Sequence, residues 1–189
     1  RRQRQMCIRD SDNNVFYATT QGATEYTDKV GDGAGVFKST DRGNNWTQIN
    51  NGLDSLETNI LTVDPNDSET LYLGTDDDGV YKSTDGGESW KKLTVSSLSK
   101  SFGVGDIIVD PQNSNNIYIG TVDYFRLSES RGVLGDFGVY KSTDGGATWE
   151  EFNVGLNHLG VFSLELSEEN RILYAGTRAG GVYWISLDN

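Results

Sequence analysis

The sequence predicts an all-β fold assembled from about four copies of one unit of four short antiparallel strands, with the first and last copies incomplete. Three observations predict it. One stretch recurs at 35–46 (GVFKSTDRGNNW), 79–90 (GVYKSTDGGESW) and 138–149 (GVYKSTDGGATW). A second recurs upstream of it, as ILTVDPNDSETLYLGT at 60–75, DIIVDPQNSNNIYIGT at 106–121, VFSLELSEENRILYAGT at 161–177 and a clipped NNVFYATT at 13–20. Within each copy the runs are short, alternating or apolar, and bounded by turn residues; nothing reads as a helix, and 23 glycines punctuate the turns. Four strands in a unit of about 45 residues is the period of a β-propeller blade.

The chain begins with a segment apart from the repeats. Residues 1–11 (RRQRQMCIRDS) carry neither strand nor helix periodicity and match one reading frame of a common sequencing-library adapter. They read as a translated adapter rather than a native basic arm, and are set aside from the fold. They hold the only Met and the only Cys, and four Arg against one Asp, so residues 12–189 have 12 basic and 27 acidic side chains and a net charge of −15 rather than −12. That balance excludes a phosphate-backbone binder, which needs clustered Lys and Arg. Without Cys, residues 12–189 offer no disulfide and no Cys-ligated metal site. No apolar run is long enough to cross a bilayer.

The blades are expected at about 12–56, 57–102, 103–158 and 159–189. In the second, strand A is 60–63, strand B 71–74, strand C 80–83 and strand D 90–94. Asp64-Pro65-Asn66-Asp67 turns between A and B, since Pro has a fixed φ and no ladder donor to lose. Between B and C the first blade carries 21–34, the second only 76–78, and the third 122–137. In an up-and-down blade both insertions leave from one face and the recurring C–D stretch turns at the other. The fourth unit has Ile185-Ser186-Leu187 where the others have Ser-Thr-Asp and stops before a strand D. Two readings stay open: a native end whose missing strand is donated by upstream chain, or truncation.

The recurring C–D stretch is expected to be a braced hairpin turn: Ser39, Asp41, Gly43 and Trp46; Ser83, Asp85, Gly87 and Trp90; Ser142, Asp144, Gly146 and Trp149. Gly supplies positive φ, Ser and Asp accept turn N–H groups, and each Trp buries roughly 150–250 Å². Three equivalent carboxylates at separate corners cannot converge on one substrate. This Ser-x-Asp-x-Gly-x-x-Trp pattern resembles the Asp-box, or BNR, repeat, over nearly all of residues 11–189. The resemblance implies a propeller of six, seven or more blades, extracellular or periplasmic. Sialidases, oligoxyloglucan-type glycoside hydrolases, sortilin-type receptors and a photosystem II assembly propeller share the repeat, so it implies no single activity.

Two functions from different classes are weighed. As a recognition or scaffold module, the chain would hold carbohydrate or protein on the B–C and D–A loop face, with Tyr26, Tyr124, Phe125, Phe137 and Arg178 as binding residues, beside missing upstream blades of its own chain. As a glycoside hydrolase of xyloglucanase type, it would use Asp76, Asp78 or Asp123 near strand-B ends, with part of the catalytic set outside the chain. A sialidase fits poorly, because Arg42, Arg126, Arg131 and Arg171 are not placed as an arginine triad. The sole His, His158, supports neither a catalytic triad nor a zinc site. Asp28, Asp32 and Asp136 add carboxylates to the loops without EF-hand spacing, so no metal and no cofactor is expected. The sequence weighs recognition above hydrolysis.

Overall fold

The structure, a computed structural model, describes residues 14–21, 33–98, 102–123 and 136–187, and the backbone of Arg4–Ile8. Four antiparallel sheets follow one another along the chain, and no helix occurs among the described residues. The first sheet is β1 (Arg4–Ile8), β2 (Phe16–Thr20), β3 (Gly35–Ser39) and β4 (Thr47–Gln48). The second is β5 (Thr58–Asp64), β6 (Asp67–Thr75), β7 (Val80–Ser83) and β8 (Lys91–Lys92). The third is β9 (Gly103–Val109), β10 (Ile117–Val122), β11 (Val139–Ser142) and β12 (Glu150–Glu151). The fourth has only β13 (Val161–Ser167), β14 (Ile172–Thr177) and β15 (Gly181–Ser186). These are blades of a β-propeller, each joined in up-and-down order.

Two expectations change. Residues 4–8, without strand periodicity in the sequence, form β1 and pair with β2 from Arg4↔Thr20 to Ile8↔Phe16, so the first sheet has its full four strands. The reason is that ladder bonds join backbone to backbone. A free edge on β2 accepts any extended segment whose length and position suit it, whatever its side chains. Strand D is also shorter than 90–94: only Lys91 and Lys92 pair. Strand D is equally short in the first and third sheets, and the Trp90 N–H donates across to Asn51 O of the preceding blade at 2.9 Å.

The core lies between blades rather than within them. One apolar cluster joins blades one and two (Tyr17, Val36, Leu71, Leu73, Tyr81), one joins two and three (Tyr72, Val80, Ile117, Ile119, Tyr140), and one joins three and four (Tyr118, Val139, Val161, Leu164). Neighbours in a strand therefore serve different clusters. Leu71 and Leu73 face backward while Tyr72 faces forward; Ile117 and Ile119 face backward while Tyr118 faces forward. Alternation buried on both faces explains why the LYLGT and IYIGT runs are apolar throughout.

Polar bonds add to the blade contacts at the A–B turns. Asn66 N donates to Asp64 Oδ1 at 2.9 Å, closing the expected turn, and Ser114 Oγ of the next blade donates to the same oxygen at 2.6 Å. One blade further on, Arg171 grips the fully buried Asp110 with both terminal nitrogens, at 2.9 and 2.6 Å. That fork holds the Asp110 carboxyl below its ordinary range against the opposing effect of burial.

Candidate functional site

The register sets two ends on every blade. Ser39, at the end of strand C, pairs with Phe16 at the start of strand B, and Gly35, at the start of C, pairs with Thr20 at the end of B. The same register holds in the second sheet. The Ser-x-Asp-x-Gly-x-x-Trp turn thus lies at one end and the B–C connection at the other.

At the turn end, all three copies close with the same bonds. Ser83 Oγ donates to Asp85 Oδ1 at 2.7 Å and accepts from Gly87 N at 2.9 Å, while Ser89 N donates to Asp85 Oδ1 at 3.0 Å. Ser39–Asp41 and Ser142–Asp144 repeat this with Gly43 and Gly146. The side chains of Ser89 and Thr148, then Ser83 and Ser142, hold Asp85 and Asp144 at a pKa of about 2, and Asn45 lowers Asp41 in the same way. A carboxylate so held stays ionised near neutrality and has no proton to give a substrate, while three of its acceptor sites are taken by its own turn. Gly87 has φ of 91°, and a Cβ there would meet Ile49 Cδ1 of the preceding blade at 2.5 Å. The first copy has Arg42 at φ 61° where the others have Gly86 and Gly145; its Nε donates to Asn14 Oδ1 at 2.7 Å. Trp90 and Trp149 are buried, whereas Trp46 is 37% exposed.

The opposite end has its own repeated device, which the sequence reading passed over. Each strand B has a Thr at its end, or one residue before it in the third sheet, whose Oγ1 donates to the glycine carbonyl at the start of strand C: Thr20 to Gly35, Thr75 to Gly79, Thr121 to Gly138 and Thr177 to Gly181, at 2.9–3.1 Å. The same oxygen accepts an N–H from the connecting loop: Ala34, Asp78, Phe137 and Gly180. The recurring Thr at the end of each strand B (YATT, YLGT, YIGT, YAGT) was the available signal. These clamps fix the residue that follows each Thr: Gln21, Asp76, Val122 and Arg178.

Asp76 is set apart by its surroundings. It is 1% exposed; Gln21 Nε2 from the first blade donates to its Oδ2 at 2.7 Å, and its N–H donates to Glu57 O at 2.9 Å. Its Oδ1 is buried without a hydrogen-bond partner among the described residues. Burial, with the nearby charges of Glu57 and Asp77, pushes its pKa up to about 7 against the opposing Gln21 bond. Glu57 Oε1 accepts from Gly33 N at 3.1 Å, and Asp77 Oδ1 accepts from Ser55 Oγ at 3.1 Å.

The other candidates are engaged elsewhere. Asp78 is bonded to Tyr81 Oη and Lys92 Nζ. Asp123 N donates to Asp136 Oδ1 at 2.8 Å, and Asp123 O accepts from the Arg178 guanidinium, which also sits 5.1 Å over the Phe162 ring. Phe137 packs on the cluster between blades two and three rather than presenting a free face. Tyr26, Tyr124, Phe125, Asp28, Asp32, Arg126 and Arg131 lie outside the described residues. Among the described residues no group of acidic, His or Cys side chains is arranged to hold a metal ion. No helix of the described residues is long and apolar enough to cross a membrane.

Comparison with known proteins places this geometry. A family model described as Sortilin-Vps10 (sortilin, neurotensin receptor 3) matches residues 34–183. The xyloglucanase Xgh74A of Acetivibrio thermocellus is 36% identical over 96 residues, which cover 46% of this chain and 11% of that protein. This chain therefore spans about a tenth of the length of that relative. A solved GH74 enzyme of Niastella koreensis superposes with a TM-score of 0.68 at 25% identity, covering 96% of this chain and 28% of that one. YCF48 from Cyanidioschyzon merolae gives a TM-score of 0.63 at 12% identity, over 93% of this chain and 48% of that one, and shares the fold alone.

Proposed function

The chain belongs to the Sortilin-Vps10 family, and from that premise we propose that it is part of a carbohydrate-active propeller that holds a polysaccharide of the xyloglucan class across its strand-B ends. The observation that carries this reading is Asp76: a buried carboxyl, one oxygen unpartnered among the described residues, with a pKa raised to about 7. A carboxyl in that range keeps a proton near neutrality, and at 1% exposure it protonates a leaving glycosidic oxygen only where binding of the sugar opens its Oδ1 to that oxygen. Glu57 and Asp77 lie close enough to raise it, and a glycosidase needs a second carboxylate about 5–10 Å from the first. The kinship with xyloglucanases supports carbohydrate over peptide as the ligand. A polymer of that class is met outside the cytoplasm, so the protein works extracellularly or in the periplasm. The weight thus moves toward hydrolysis relative to the sequence alone, with Asp76 preferred to Asp78 and Asp123.

Titration of xyloglucan oligosaccharide into the chain, with reducing ends measured in parallel, tests this. Binding with release of reducing ends that is lost in Asp76→Asn supports the hydrolase. Binding without release leaves the chain a carbohydrate-recognition module. Absence of binding overturns the proposal.

A further inference from the structure

Each strand D runs out into the same turn, closed by Leu53 N to Asn50 O at 3.0 Å, Leu98 N to Val95 O at 2.8 Å and Leu156 N to Asn153 O at 3.0 Å. The second position of that turn is Asn51 in blade one, Ser96 in blade two and Val154 in blade three, so the turn makes no demand on this side chain. The third position in blade one is Gly52, at φ of 92°, where a Cβ would meet Trp90 O of blade two at 2.2 Å. The fold therefore requires the glycine and leaves the residue before it open. Asn51-Gly52 is the sole Asn-Gly pair in the sequence.

In an Asn-Gly pair the backbone nitrogen reaches the preceding side-chain amide with least hindrance, because no Cβ shields it. Asn51 and Gly52 are both exposed. The Gly52 N–H has no acceptor among the described residues, and the Asn51 side chain makes one long bond, Nδ2 to Glu88 O of blade two at 3.3 Å. The adjacent Asn50 is held at both ends: its Oδ1 accepts from Val36 N at 2.8 Å and its Nδ2 donates to Ala34 O at 3.0 Å. Asn153, its counterpart in blade three, is held in the same way by Val139 N at 2.7 Å and Phe137 O at 3.0 Å. Of these three amides, Asn51 alone is weakly restrained and followed by glycine.

We propose that Asn51 is a site of spontaneous deamidation, and that its conversion loosens the seam between blades one and two. Gly52 N bonds to Asn51 Cγ, the Cγ–Nδ2 bond breaks, and ammonia leaves with the Gly52 proton, which closes a cyclic imide. Water then opens the imide at one of its two carbonyls. Opening at Cγ gives aspartate on the original backbone. Opening at the backbone carbonyl gives isoaspartate, in which the chain runs through Cγ and the former carbonyl carbon carries a free carboxylate; in either case the acid's proton passes to the ammonia. Both products lose the donor to Glu88 O and add one negative charge to a chain whose net charge is already −12. Isoaspartate also displaces the oxygen that accepts from Trp90 N at 2.9 Å.

Ageing the 189-residue protein in warm, mildly alkaline buffer, followed by peptide mapping that separates asparagine, aspartate and isoaspartate, tests this. The mass gained when an amide becomes an acid distinguishes deamidation from isomerisation of the Asp-Gly pairs, which leaves the mass unchanged. The expected result is conversion at Asn51 ahead of Asn66 and Asn113. In the converted protein the Trp90 amide is expected to exchange about fivefold faster, the worth of one hydrogen bond. Asn51→Val copies the turn of blade three; circular dichroism establishes that it is folded, and its Trp90 exchange is expected to stay constant through the same ageing. An Asn51 that converts in urea but stays intact in the native protein overturns the proposal, as does one that converts no sooner than Asn66 or Asn113. Conversion that leaves Trp90 exchange unchanged also overturns it.

Discussion

Replacing Asp76 by Asn should change how stability depends on pH, and the size follows from the site. Its pKa is raised in the fold to about 7 from 3.8. Below pH 3.8 the carboxyl is protonated in both the folded and the unfolded chain and contributes no pH dependence. Between pH 3.8 and about 7 the folded chain holds a proton that the unfolded chain has released, so stability falls as pH rises. Above about 7 both forms are ionised and the loss is complete. A difference near three pK units corresponds to roughly 4 kcal/mol. Asn keeps an oxygen for Gln21 and does not titrate. Whatever constant offset the amide introduces, the stability of Asp76→Asn relative to the parent should rise by roughly 4 kcal/mol between pH 4 and pH 8. Urea unfolding followed by tryptophan fluorescence at those two pH values measures it. If the relative stability moves by less than about 1 kcal/mol, Asp76 is hydrated or paired, and the reasoning that makes it a proton donor is refuted.

Three other outcomes follow from the contacts. Arg171→Met leaves Asp110 buried without its fork and should cost about 3–5 kcal/mol in equilibrium unfolding, while the pair's contribution fades in acid as Asp110 is protonated below its lowered pKa. Trp90→Ala should cost about 3–5 kcal/mol, and Trp46→Ala clearly less, because one indole is buried against the preceding blade and the other is partly exposed; thermal melts of the two variants make the comparison. Thr75→Val removes both the bond to Gly79 O and the acceptor for Asp78 N, so exchange of the 76–79 amides should accelerate while the Ser83–Trp90 turn stays protected.

The fold was legible because its signal is repeated and local. Val80–Ser83 is the strand the sequence predicts, and the Asp64–Asp67 turn closes as its Pro and Asx residues require. What the sequence hid depends on partners far along the chain. Arg4–Ile8 gives no pattern, because backbone pairing with β2 asks nothing of its side chains. The Trp90 N–H goes to Asn51 O of another blade, a bond that no local pattern announces. Asp76, Asp78 and Asp123 look alike in sequence, as acids just past strand B. They are ranked only by what stands opposite: a single amide from Gln21 for the first, Tyr81 and Lys92 for the second, and the Asp136–Arg178 network around the backbone of the third. The strand-B threonines were readable in principle, but a Thr after Gly has many uses, and its double bond to loop and strand is visible only once B and C are paired.

The central claim is that ligand is held at the strand-B ends and the Ser-x-Asp-x-Gly-x-x-Trp turns only brace the blades. Backbone chemical-shift mapping during titration with xyloglucan oligosaccharide tests it most directly. The account predicts shifts at Gln21, Thr75 to Asp77, Asp123 and Arg178, with 39–46, 83–90 and 142–149 unmoved. Shifts confined to those three turns, or none at saturating sugar, would contradict it.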